Sequence, residues 1–345
     1  MEVVFLAWTR NAQRAVEIAA ALGGEARTFY ALGLSRRPAV PVRYAIDAVR
    51  TAIYLAARRP RAAVVTNPPI FPALIVLVYR RITGAPLVLD SHPSGFGLAG
   101  DQFSLHMQRV HAWAARRART TLVSAPRLRD LVMSWCARAD VVHEAPPAWT
   151  VAPAGPPGPH PRILFPGIFS ADEPLAEVIG AARALPGFRV AMTGDIRKCP
   201  REIHGAASPN VSFLGFLPQD QYIQALAATD VVLSLSSEPS SVMRTACEAV
   251  WAGRPLVITD RVDLRELFPH AVHVANDARA IADGLVEAIR RHAELRAAAS
   301  EQRRAQETRW ERQLAVLEYR LFGEGAGGAL PRGGERALGA AARPP

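Results

Sequence analysis

The chain has 345 residues, of which 50% are hydrophobic and 21% charged, so it is long and apolar enough to bury two α/β cores. Its three cysteines, Cys136, Cys199 and Cys247, form no CxxC pair and no Cys/His cluster, which argues against a disulfide framework or a zinc site and favours a cytoplasmic protein. No apolar run reaches the roughly 18 residues of a membrane span, and the start MEVVFLAWTR has no basic segment ahead of its apolar run, so it predicts a first strand rather than a signal peptide.

The positive charge is concentrated in the first half of the chain. Residues 1–150 contain 19 Arg and 9 Asp or Glu, whereas residues 151–345 contain 22 Lys or Arg and 22 Asp or Glu. This asymmetry predicts an anionic partner: a phosphorylated acceptor, a nucleic acid, or a membrane, which would place the protein peripherally at the inner membrane face. The basic half has no aromatic-interleaved basic stretch, so no nucleic acid is expected. An arginine-rich composition without any partner is the alternative.

Residues 1–145 alternate short apolar runs with helical patterns. Strands are predicted at Val3–Ala7, Ala62–Thr66, Pro86–Asp90 and Thr121–Ser124. Helices are predicted between them at Asn11–Leu22, Ala45–Ala57, Pro72–Thr83, Ser104–Ala118 and Arg127–Trp135. Repeated strand–helix–strand units indicate an open, doubly wound parallel sheet, that is, an N-terminal Rossmann-like domain.

Residues 146–161 are dense in Pro and Ala and predict an interdomain linker. Residues 162–296 repeat the α/β alternation and predict a second Rossmann-like domain. Its strands are predicted at Arg162–Phe165, Arg189–Thr193, Val211–Leu214, Val231–Leu235 and Leu256–Thr259, and its helices at Pro174–Leu185, Gln219–Ala228, Val242–Trp251 and Ala278–Arg291. A charged helix is predicted over residues 297–322 and is expected to return to the N-terminal domain through the apolar stripe Trp310, Leu314, Leu317 and Leu321. The Gly- and Ala-rich residues 323–345 predict a disordered tail. The expected α/β architecture is two doubly wound domains facing each other across a cleft.

The most specific segment is residues 210–260, NVSFLGFLPQDQYIQALAATDVVLSLSSEPSSVMRTACEAVWAGRPLVITD. It contains the patterns N-V-x-F-x-G, D-V-x-L-x-x-S and E-A-x-x-A-G-x-P-L-V. This segment resembles the nucleotide-sugar-binding half of retaining GT-B glycosyltransferases (glycosyl transferases group 1, family 4-like), and domain order extends the resemblance over nearly the whole chain. The resemblance implies transfer of a sugar, with retention and without metal, from a nucleotide-sugar donor to a glycan, lipid-linked or small-molecule acceptor.

Polar residues follow a predicted strand of this segment and precede a helix near Val242. Ligands of open α/β sheets bind beyond the carboxyl ends of the strands, where free N–H groups and the helix dipole can hold a diphosphate. We therefore predict donor contacts from Glu238, Ser240 and Ser241. Glu248, about two turns further on, can accept hydrogen bonds from ribose hydroxyls. By resemblance, it is the second glutamate of the family's Glu-x7-Glu motif.

The segment departs from the family's pattern in two places. Ser240 stands eight residues before Glu248, at the position of the first glutamate, and the nearest glutamate, Glu238, lies two residues earlier. The family's Arg and Lys near the first strand of this domain are also missing. The sequence there is FPGIFSADEP, in which Ile168 follows Gly167.

The negative charge of the leaving group must still be neutralised during transfer. Arg197 and Lys198, after a predicted strand end, and Arg244, on the helix of the motif, are the candidates for that role. By resemblance, Gly215 and Leu217 would border the nucleotide base, and Gly167 would lie in the donor loop.

In the first domain, the sequence LVLDSHPSGFG ends a buried strand with Asp90 and His92. A polar cluster followed by a glycine-containing loop at the carboxyl end of a sheet is typical of catalytic groups, and by resemblance His92 would lie near the reacting sugar. The family's glycine-rich loop after the first strand is replaced by AWTRNAQRA. Arg10 and Asn11 stand there and are candidates to bind a polar or phosphorylated acceptor.

No Asp-x-Asp pair, GxGxxG or P-loop motif is present, so neither a metal nor a cofactor is expected and the nucleotide sugar is the co-substrate. Two alternatives remain open. A nucleotide-sugar epimerase of the same fold would need acid/base carboxylates, for which Asp90, Glu173 and Glu238 are the candidates. A non-catalytic partner that has lost the donor site would explain the missing Arg and Lys.

Overall fold

The computed structural model describes residues 2–10, 12–31, 39–96, 105–152 and 155–323. Their contacts divide them into two units. The first, the N-terminal unit, comprises the described chain up to Ala145 together with the segment from Arg309 onward. The second, the C-terminal unit, is Pro146–Thr308. None of the described helices is both long enough and apolar enough to cross a bilayer.

The N-terminal unit is built on a six-stranded parallel sheet in the order β2-β1-β3-β4-β5-β6. Its strands are β1 (Val3–Ala7), β2 (Glu25–Thr28), β3 (Ala62–Asn67), β4 (Leu87–Ser91), β5 (Thr120–Val123) and β6 (Ala139–Val141). Its helices are α1 (Gln13–Ala21), α2 (Val40–Arg58), α3 (Phe71–Thr83), α4 (Leu105–Ala115) and α5 (Pro126–Ser134). The central strands β1 and β4 are buried along their whole length, because helices cover both faces of the sheet.

Local sequence signals fix the ends of several of these helices. Helices α2, α3 and α5 each begin with a proline in the first turn, where the missing N–H costs no hydrogen bond. Helix α3 ends at Gly84, whose φ of 78° lets its N–H bond back to the Arg80 carbonyl at 2.8 Å. The chain can then turn directly into β4.

The C-terminal unit has a second six-stranded parallel sheet, in the order β12-β11-β10-β7-β8-β9. Its strands are β7 (Arg162–Pro166), β8 (Arg189–Thr193), β9 (Val211–Gly215), β10 (Val231–Ser234), β11 (Leu256–Thr259) and β12 (Val272–Val274). Its helices are α6 (Leu175–Ala184), α7 (Arg201–Gly205), α8 (Gln219–Ala228), α9 (Arg244–Trp251), α10 (Val262–Leu267) and α11 (Ala278–Arg290). The strand order reverses between β7 and β10, so the loops that follow these two strands open side by side at the switch point of the sheet.

The last described helix, α12 (His292–Phe322), contributes to both units. Leu317 and Leu321 are buried in the core of the N-terminal unit beside Val3 and Phe5. In the same unit, the Arg320 guanidinium donates to the Asp140 carboxylate at 3.0 Å. This end of the helix is therefore held by both apolar packing and an ion pair.

The prediction of two doubly wound Rossmann-like domains is confirmed by the two parallel sheets with helices. Five short elements were not predicted from the sequence: β2, β6, β12, α7 and α10. Strands β2 and β6 lie at the sheet edges and are only half-buried or exposed, so neither is a continuous apolar run. Apart from Gly323, the predicted tail of residues 323–345 lies outside the described residues.

Candidate functional site

The loops after β7 and β10 are joined at the switch point of the C-terminal sheet. The Ser236 hydroxyl donates to the Asp172 carboxylate at 2.6 Å, and the Ser237 N–H donates to the Asp172 carbonyl at 2.7 Å. The fold therefore brings together the two segments in which the sequence predicted donor residues, FPGIFSADEP and LSSEPSS.

The loop after β10 is also held from the β11 side. The Ser236 N–H donates to the Thr259 hydroxyl at 3.0 Å, and that hydroxyl donates to the Asn276 side chain at 2.8 Å. The Asn276 amide returns a bond to the Ser236 carbonyl at 3.1 Å. The main chain of this loop, which leads into α9, is therefore fixed from both sides.

Arg261, which the sequence analysis did not single out, holds the other half of the same loop. Its guanidinium donates to the carbonyls of Glu238 at 2.5 Å and Ser241 at 2.7 Å, and it also pairs with Asp263 at 2.7 Å. The side chain of Arg261 thus orders the loop. In the sequence, the position of Arg261 shortly after β11 is the only feature that could have indicated this role.

Helix α9 begins at this loop without a capping side chain. Its N-cap residue is Met243, whose side chain makes no capping hydrogen bond. The Glu238 carboxylate instead accepts the N–H of Ser240 at 3.2 Å, and both residues are buried. An uncapped helix start with its positive dipole end is a suitable place for an anionic group such as a phosphate.

Glu248 lies on α9 and is 7% exposed. One carboxylate oxygen accepts the Tyr222 hydroxyl at 2.7 Å, and the other accepts the Nε–H of Arg244 at 2.8 Å. Burial, followed by the neighbouring Glu248 charge, raises the pKa of Tyr222, so this phenol is a hydrogen-bond donor throughout the physiological range. Arg244, predicted to neutralise the leaving group, forms an ion pair with Glu248 in this structure.

Glu173 occupies the loop after β7, where the family's Arg and Lys are missing. Its carboxylate accepts the N–H of Ile168 at 2.9 Å and the N–H of Phe169 at 2.8 Å. Burial raises the pKa of Glu173, and the two backbone N–H groups oppose this shift. A Cβ at Gly167 would lie 2.7 Å from the Phe165 ring and 3.0 Å from the Glu173 carboxylate, so this position requires glycine. The carboxylate of Glu173 therefore uses N–H donors that could otherwise bind an anion.

The remaining predicted donor residues follow β8 and β9. Arg197 is exposed and its guanidinium pairs with Asp195 at 2.8 Å, while Lys198 is exposed in the same turn. Gly215 ends β9 with a φ of 74° and accepts the Gly194 N–H through its carbonyl, and Leu217 is half-buried just beyond it. Strands β8 and β9 lie on one side of β7, whereas α9 follows β10 on the other side.

In the N-terminal unit, Asp90 lies at the end of β4 in a buried ion pair with Arg14. The Arg14 Nε–H group contacts both carboxylate oxygens at 3.1 and 3.2 Å, and a second carboxylate, Glu144, lies 3.2 Å from Arg14. Burial alone would raise the pKa of Asp90, but the charges of Arg14 and His92 outweigh it and lower this pKa to about 2. Asp90 is therefore ionised at neutral pH and cannot serve as a general acid there.

His92 extends from this carboxylate toward solvent. Its Nε2 atom lies 3.5 Å from the Asp90 carboxylate, and its side chain is 41% exposed. The backbone N–H of His92 donates to the carbonyl of Asn67 at 2.9 Å, and this bond connects the loop after β4 to the end of β3. A carboxylate behind a partly exposed imidazole can orient the ring.

A second histidine, His111 on α4, is fully buried behind the same loop. Its Nε2 atom lies 2.9 Å from the Ser91 hydroxyl, and its Nδ1 atom lies 3.2 Å from the Gly95 carbonyl. Since a carbonyl can only accept, Nδ1 carries the proton and Nε2 accepts from Ser91. Burial lowers the pKa of His111 to about 4, so it is neutral and serves to position the loop. No sequence motif marked this residue.

Arg10, a predicted acceptor residue, lies beyond β1 among aromatic side chains. Its guanidinium is 4.8 Å from the centre of the Tyr30 ring, and the Arg43 guanidinium is 4.2 Å from the same ring. Arg43 also lies 4.9 Å from the Tyr44 ring. Asn11, the other predicted acceptor residue, lies outside the described residues. Within the described ranges, no group of three His, Cys, Asp or Glu side chains is arranged to hold a metal ion.

Comparison with known proteins identifies the fold and the enzyme class. Residues 175–317 match the family described as "Glycosyl transferase-like". Anabaena HepE, solved with UDP and glucose, has a TM-score of 0.70 at 16% identity, covering 92% of this chain and 99% of that chain. Sucrose-phosphate synthase from Thermosynechococcus elongatus has a TM-score of 0.71 at 14% identity, covering 99% and 100%. The chain is a glycosyltransferase of the GT-B fold.

A third solved structure, the UDP-forming α,α-trehalose-phosphate synthase from Burkholderia xenovorans, gives the same fold, with a TM-score of 0.70 at 11% identity over 93% of this chain and 99% of that chain. No curated protein sequence matches this glycosyltransferase. The predicted GT-B fold and the predicted glycosyltransferase class are thus confirmed. The predicted site residues remain predictions, because the comparisons do not assign roles to individual side chains.

The predicted donor residues of this glycosyltransferase fall into two groups. One group adjoins the switch point of the C-terminal sheet: Gly167, Glu238, Ser240, Ser241, Arg244 and Glu248. The other follows the neighbouring strands β8 and β9: Arg197, Lys198, Gly215 and Leu217. The contacts add Asp172, Glu173, Tyr222 and Arg261 to the first group. These four added residues come from three separate segments, the loop after β7, helix α8 and the loop after β11, so no single sequence motif contains them.

Proposed function

We propose that this glycosyltransferase uses a nucleotide-sugar donor, needs neither metal nor further cofactor, and transfers the sugar with retention to a polar or phosphorylated acceptor. The donor would bind in the C-terminal unit, with its diphosphate at the start of α9 and its ribose near Glu248. The observation that carries this proposal is the uncapped start of α9 at the switch point of the sheet, in a loop held by Asp172, Asn276 and Arg261.

The solved relatives support the choice of donor. HepE has been solved in complex with UDP-glucose, and the Burkholderia xenovorans enzyme is named as UDP-forming. A nucleotide sugar carries a diphosphate, two ribose hydroxyls and a base. The start of α9 offers N–H donors to the diphosphate, and the Glu248 carboxylate offers acceptors to the ribose hydroxyls.

Glu173 is expected to limit donor affinity. Its carboxylate already accepts the N–H groups of Ile168 and Phe169 in the loop after β7. A diphosphate approaching this loop would be repelled by that charge and would have to compete for the same donors. We expect Glu173→Gln to bind a nucleoside diphosphate more tightly, by about 3- to 10-fold, although it loses charge-assisted hydrogen bonds worth about 1.5–3 kcal/mol to stability. Unchanged or weaker binding by a folded Glu173→Gln would place the diphosphate elsewhere.

We propose that the N-terminal unit binds and positions the acceptor. His92, backed by the ionised Asp90, would position the acceptor hydroxyl or the sugar, and Arg10 beside Tyr30 would contact an anionic group of the acceptor. Because the pKa of Asp90 is about 2, this carboxylate is ionised and its part is to orient the His92 ring. The two residues are therefore proposed as a pair, with His92 in contact with substrate.

The first test is a thermal-shift screen of the full chain against UDP, GDP, ADP and dTDP and their sugar conjugates. A nucleotide present at 100 times its Kd should stabilise the folded state by about 2.7 kcal/mol, which is readily seen as a rise in Tm. The nucleotide sugar that stabilises most is then incubated with acceptor candidates, with and without EDTA. Release of the nucleoside diphosphate together with a new glycoside of retained anomeric configuration is the expected result.

Each part of the proposal can fail separately. No stabilisation by any of the four nucleotides would remove the donor proposal. Loss of activity in EDTA, restored by a divalent cation, would remove metal independence, and an inverted product would remove retention. Conversion of the donor to an epimeric nucleotide sugar, without transfer, would show instead the epimerase chemistry that the sequence left open.

A further inference from the structure

A groove of about 930 Å³ opens in the N-terminal unit at the end of the sheet opposite the candidate catalytic residues. Ala118 and Arg119 line it just before β5 begins, and Ala137 and Arg138 line it just before β6 begins. Asp90 lies at the carboxyl end of β4 and His92 directly follows that strand, which is parallel to β5. The groove therefore belongs to the amino ends of the strands and is separate from the proposed acceptor chemistry.

Six arginines line this groove, and no aspartate or glutamate does. They come from the end of α3, the turn after α4 and the turn before β6: Arg80, Arg81, Arg116, Arg117, Arg119 and Arg138. The ion pairs described within this unit use other arginines, namely Arg14, Arg61, Arg129 and Arg320. Among the described residues, none of the six groove arginines pairs with a carboxylate.

Main-chain contacts orient half of these arginines without neutralising them. Arg80 donates to the Arg117 carbonyl, Arg116 to the Trp135 carbonyl and Arg117 to the Trp113 carbonyl. Six guanidinium charges gathered from separate segments repel one another, which opposes folding unless anions lie nearby. The groove is therefore a preformed site that can bind several negatively charged groups at once. A single carboxylate could not balance the positive charge of the six arginines.

Apolar side chains are exposed beside the arginines. Val78 is 63% exposed, Ile82 79% and Trp113 40%, and the Arg117 guanidinium stacks 4.1 Å from the Trp113 ring. Aliphatic side chains next to arginines and a tryptophan match the boundary between lipid headgroups and acyl chains. Trp113 is the one aromatic ring among the described residues that line the groove, and the Arg117 guanidinium already lies over it, so the bases of a single-stranded nucleic acid would find no open ring on which to stack.

We propose that this arginine groove, with its rim of Val78, Ile82 and Trp113, docks the N-terminal unit onto an anionic phospholipid bilayer. The arginines bind headgroup phosphates, and the apolar rim enters the interface. Because no described helix can cross a membrane, the contact is peripheral and reversible. The inference does not depend on the proposed donor site.

Flotation of the full chain with vesicles of phosphatidylcholine alone, or with 30% phosphatidylglycerol, tests the proposal in 0.1 M and 0.5 M salt. The test variant is Arg81→Gln/Arg119→Gln/Arg138→Gln, because these three exposed side chains make no hydrogen bond to a described residue. The matched control is Arg189→Gln/Arg201→Gln/Arg279→Gln, which removes the same charge from exposed positions of the C-terminal unit.

The parent chain should float only with anionic vesicles and only at low salt. Each arginine at such a surface is worth about fivefold in partitioning at low ionic strength, so the test variant should lose at least about 30-fold and the control less than about threefold. Equal losses in the two variants, equal binding to neutral vesicles, or no vesicle binding would each overturn the proposal.

Cys136 supplies a second readout within the groove. It lines the groove and is exposed, whereas Cys199 and Cys247 are buried. Anionic vesicles should slow its reaction with a charged maleimide by about tenfold in the parent chain but not in the test variant. An unchanged rate with the parent protein bound to vesicles would place the membrane contact elsewhere. Protection of Cys136 by a single-stranded RNA 30-mer or by inorganic phosphate, but not by vesicles, would assign the groove to those anions and overturn the membrane proposal.

Discussion

Glu248 offers the sharpest test of the proposed donor site, because its structural bonds and its proposed ligand bonds can be separated. Its carboxylate accepts the Tyr222 hydroxyl at 2.7 Å and the Arg244 Nε–H at 2.8 Å. Glu248→Ala leaves both donors without this acceptor in a largely buried place. We expect a loss of unfolding free energy of about 2–4 kcal/mol, since Arg244 is 28% exposed and part of its loss is recovered from water.

Donor binding should fall independently of this loss of stability. If the carboxylate accepts ribose hydroxyls, removing it costs about 1.5–3 kcal/mol of binding, which is about 10- to 150-fold in Kd. Glu248→Gln keeps the shape and one acceptor oxygen, so it should weaken binding less than Glu248→Ala. Ser240→Ala, at the position of the family's first glutamate, should weaken it less than either.

Tyr222→Phe is the matched control. It removes one hydrogen bond to Glu248 and leaves the carboxylate in place, so stability should fall by about 1 kcal/mol while Kd changes less than about threefold. Denaturant unfolding gives the stabilities, and isothermal titration of the nucleoside diphosphate gives the affinities. If folded Glu248→Ala binds the nucleotide like the parent, the ribose is not at Glu248 and the proposed donor site is wrong. A Tyr222→Phe variant that loses as much affinity as Glu248→Ala would show that Glu248 acts only through the packing around it.

Three further predictions concern the N-terminal unit. His92→Ala should lower turnover by about 100-fold or more with little change in Tm or donor Kd; a large fall in Tm with near-normal turnover would make His92 structural. Arg14→Met leaves the Asp90 carboxylate buried without its partner and should cost about 3–5 kcal/mol of unfolding free energy. The double variant Arg14→Met/Asp90→Asn removes the unpaired charge and should recover a substantial part of this loss, as measured by urea unfolding. Because the pKa of His111 is lowered to about 4 in the folded state, the unfolded chain takes up a proton that the folded chain does not as the pH falls from about 6.5 to 4. Stability should therefore decrease over that window, by up to about 3 kcal/mol from this residue, and His111→Gln should show a shallower decrease; an identical slope in parent and variant would contradict the burial argument.

The sequence by itself determined the fold class and the positions of the central strands. Runs such as Val3–Ala7 and Leu256–Thr259 are largely apolar and are buried at every position, because helices cover both faces of a parallel sheet, and the structure places them where the sequence predicts. The strand–helix alternation and the residues 210–260 pattern were sufficient for the GT-B resemblance, which the comparisons confirm.

The edge strands of the N-terminal sheet could not be predicted from the sequence. Strands β2 and β6, with sequences EART and ADV, carry charged side chains and are only half-buried or exposed, so nothing in their local pattern separates them from loops. They become strands because a neighbouring strand supplies parallel hydrogen bonds, as β1 does for β2. Such pairing is a long-range property that no short window contains.

The chemical state of the candidate site was likewise decided by tertiary contacts. The sequence marked Asp90, His92 and Glu248 by their places after strands and on a helix, but it could not give them partners. Arg14 lies 76 residues from Asp90, and Tyr222 lies 26 residues from Glu248. Both partners fix the charge or the hydrogen bonding of the predicted residue, because burial makes electrostatic and hydrogen-bond energies depend on the nearest groups.

The arginine groove shows the same division at the scale of a surface. The sequence determined that the first 150 residues carry the whole net positive charge. A net charge is obtained by counting charged residues, so it requires no structure. Only the fold decided that six of these arginines, from the end of α3 and from the turns before β5 and β6, line one groove without a carboxylate among them. Parallel strands bring their amino ends to the same edge of the sheet, so charges that are distant along the chain become neighbours in space.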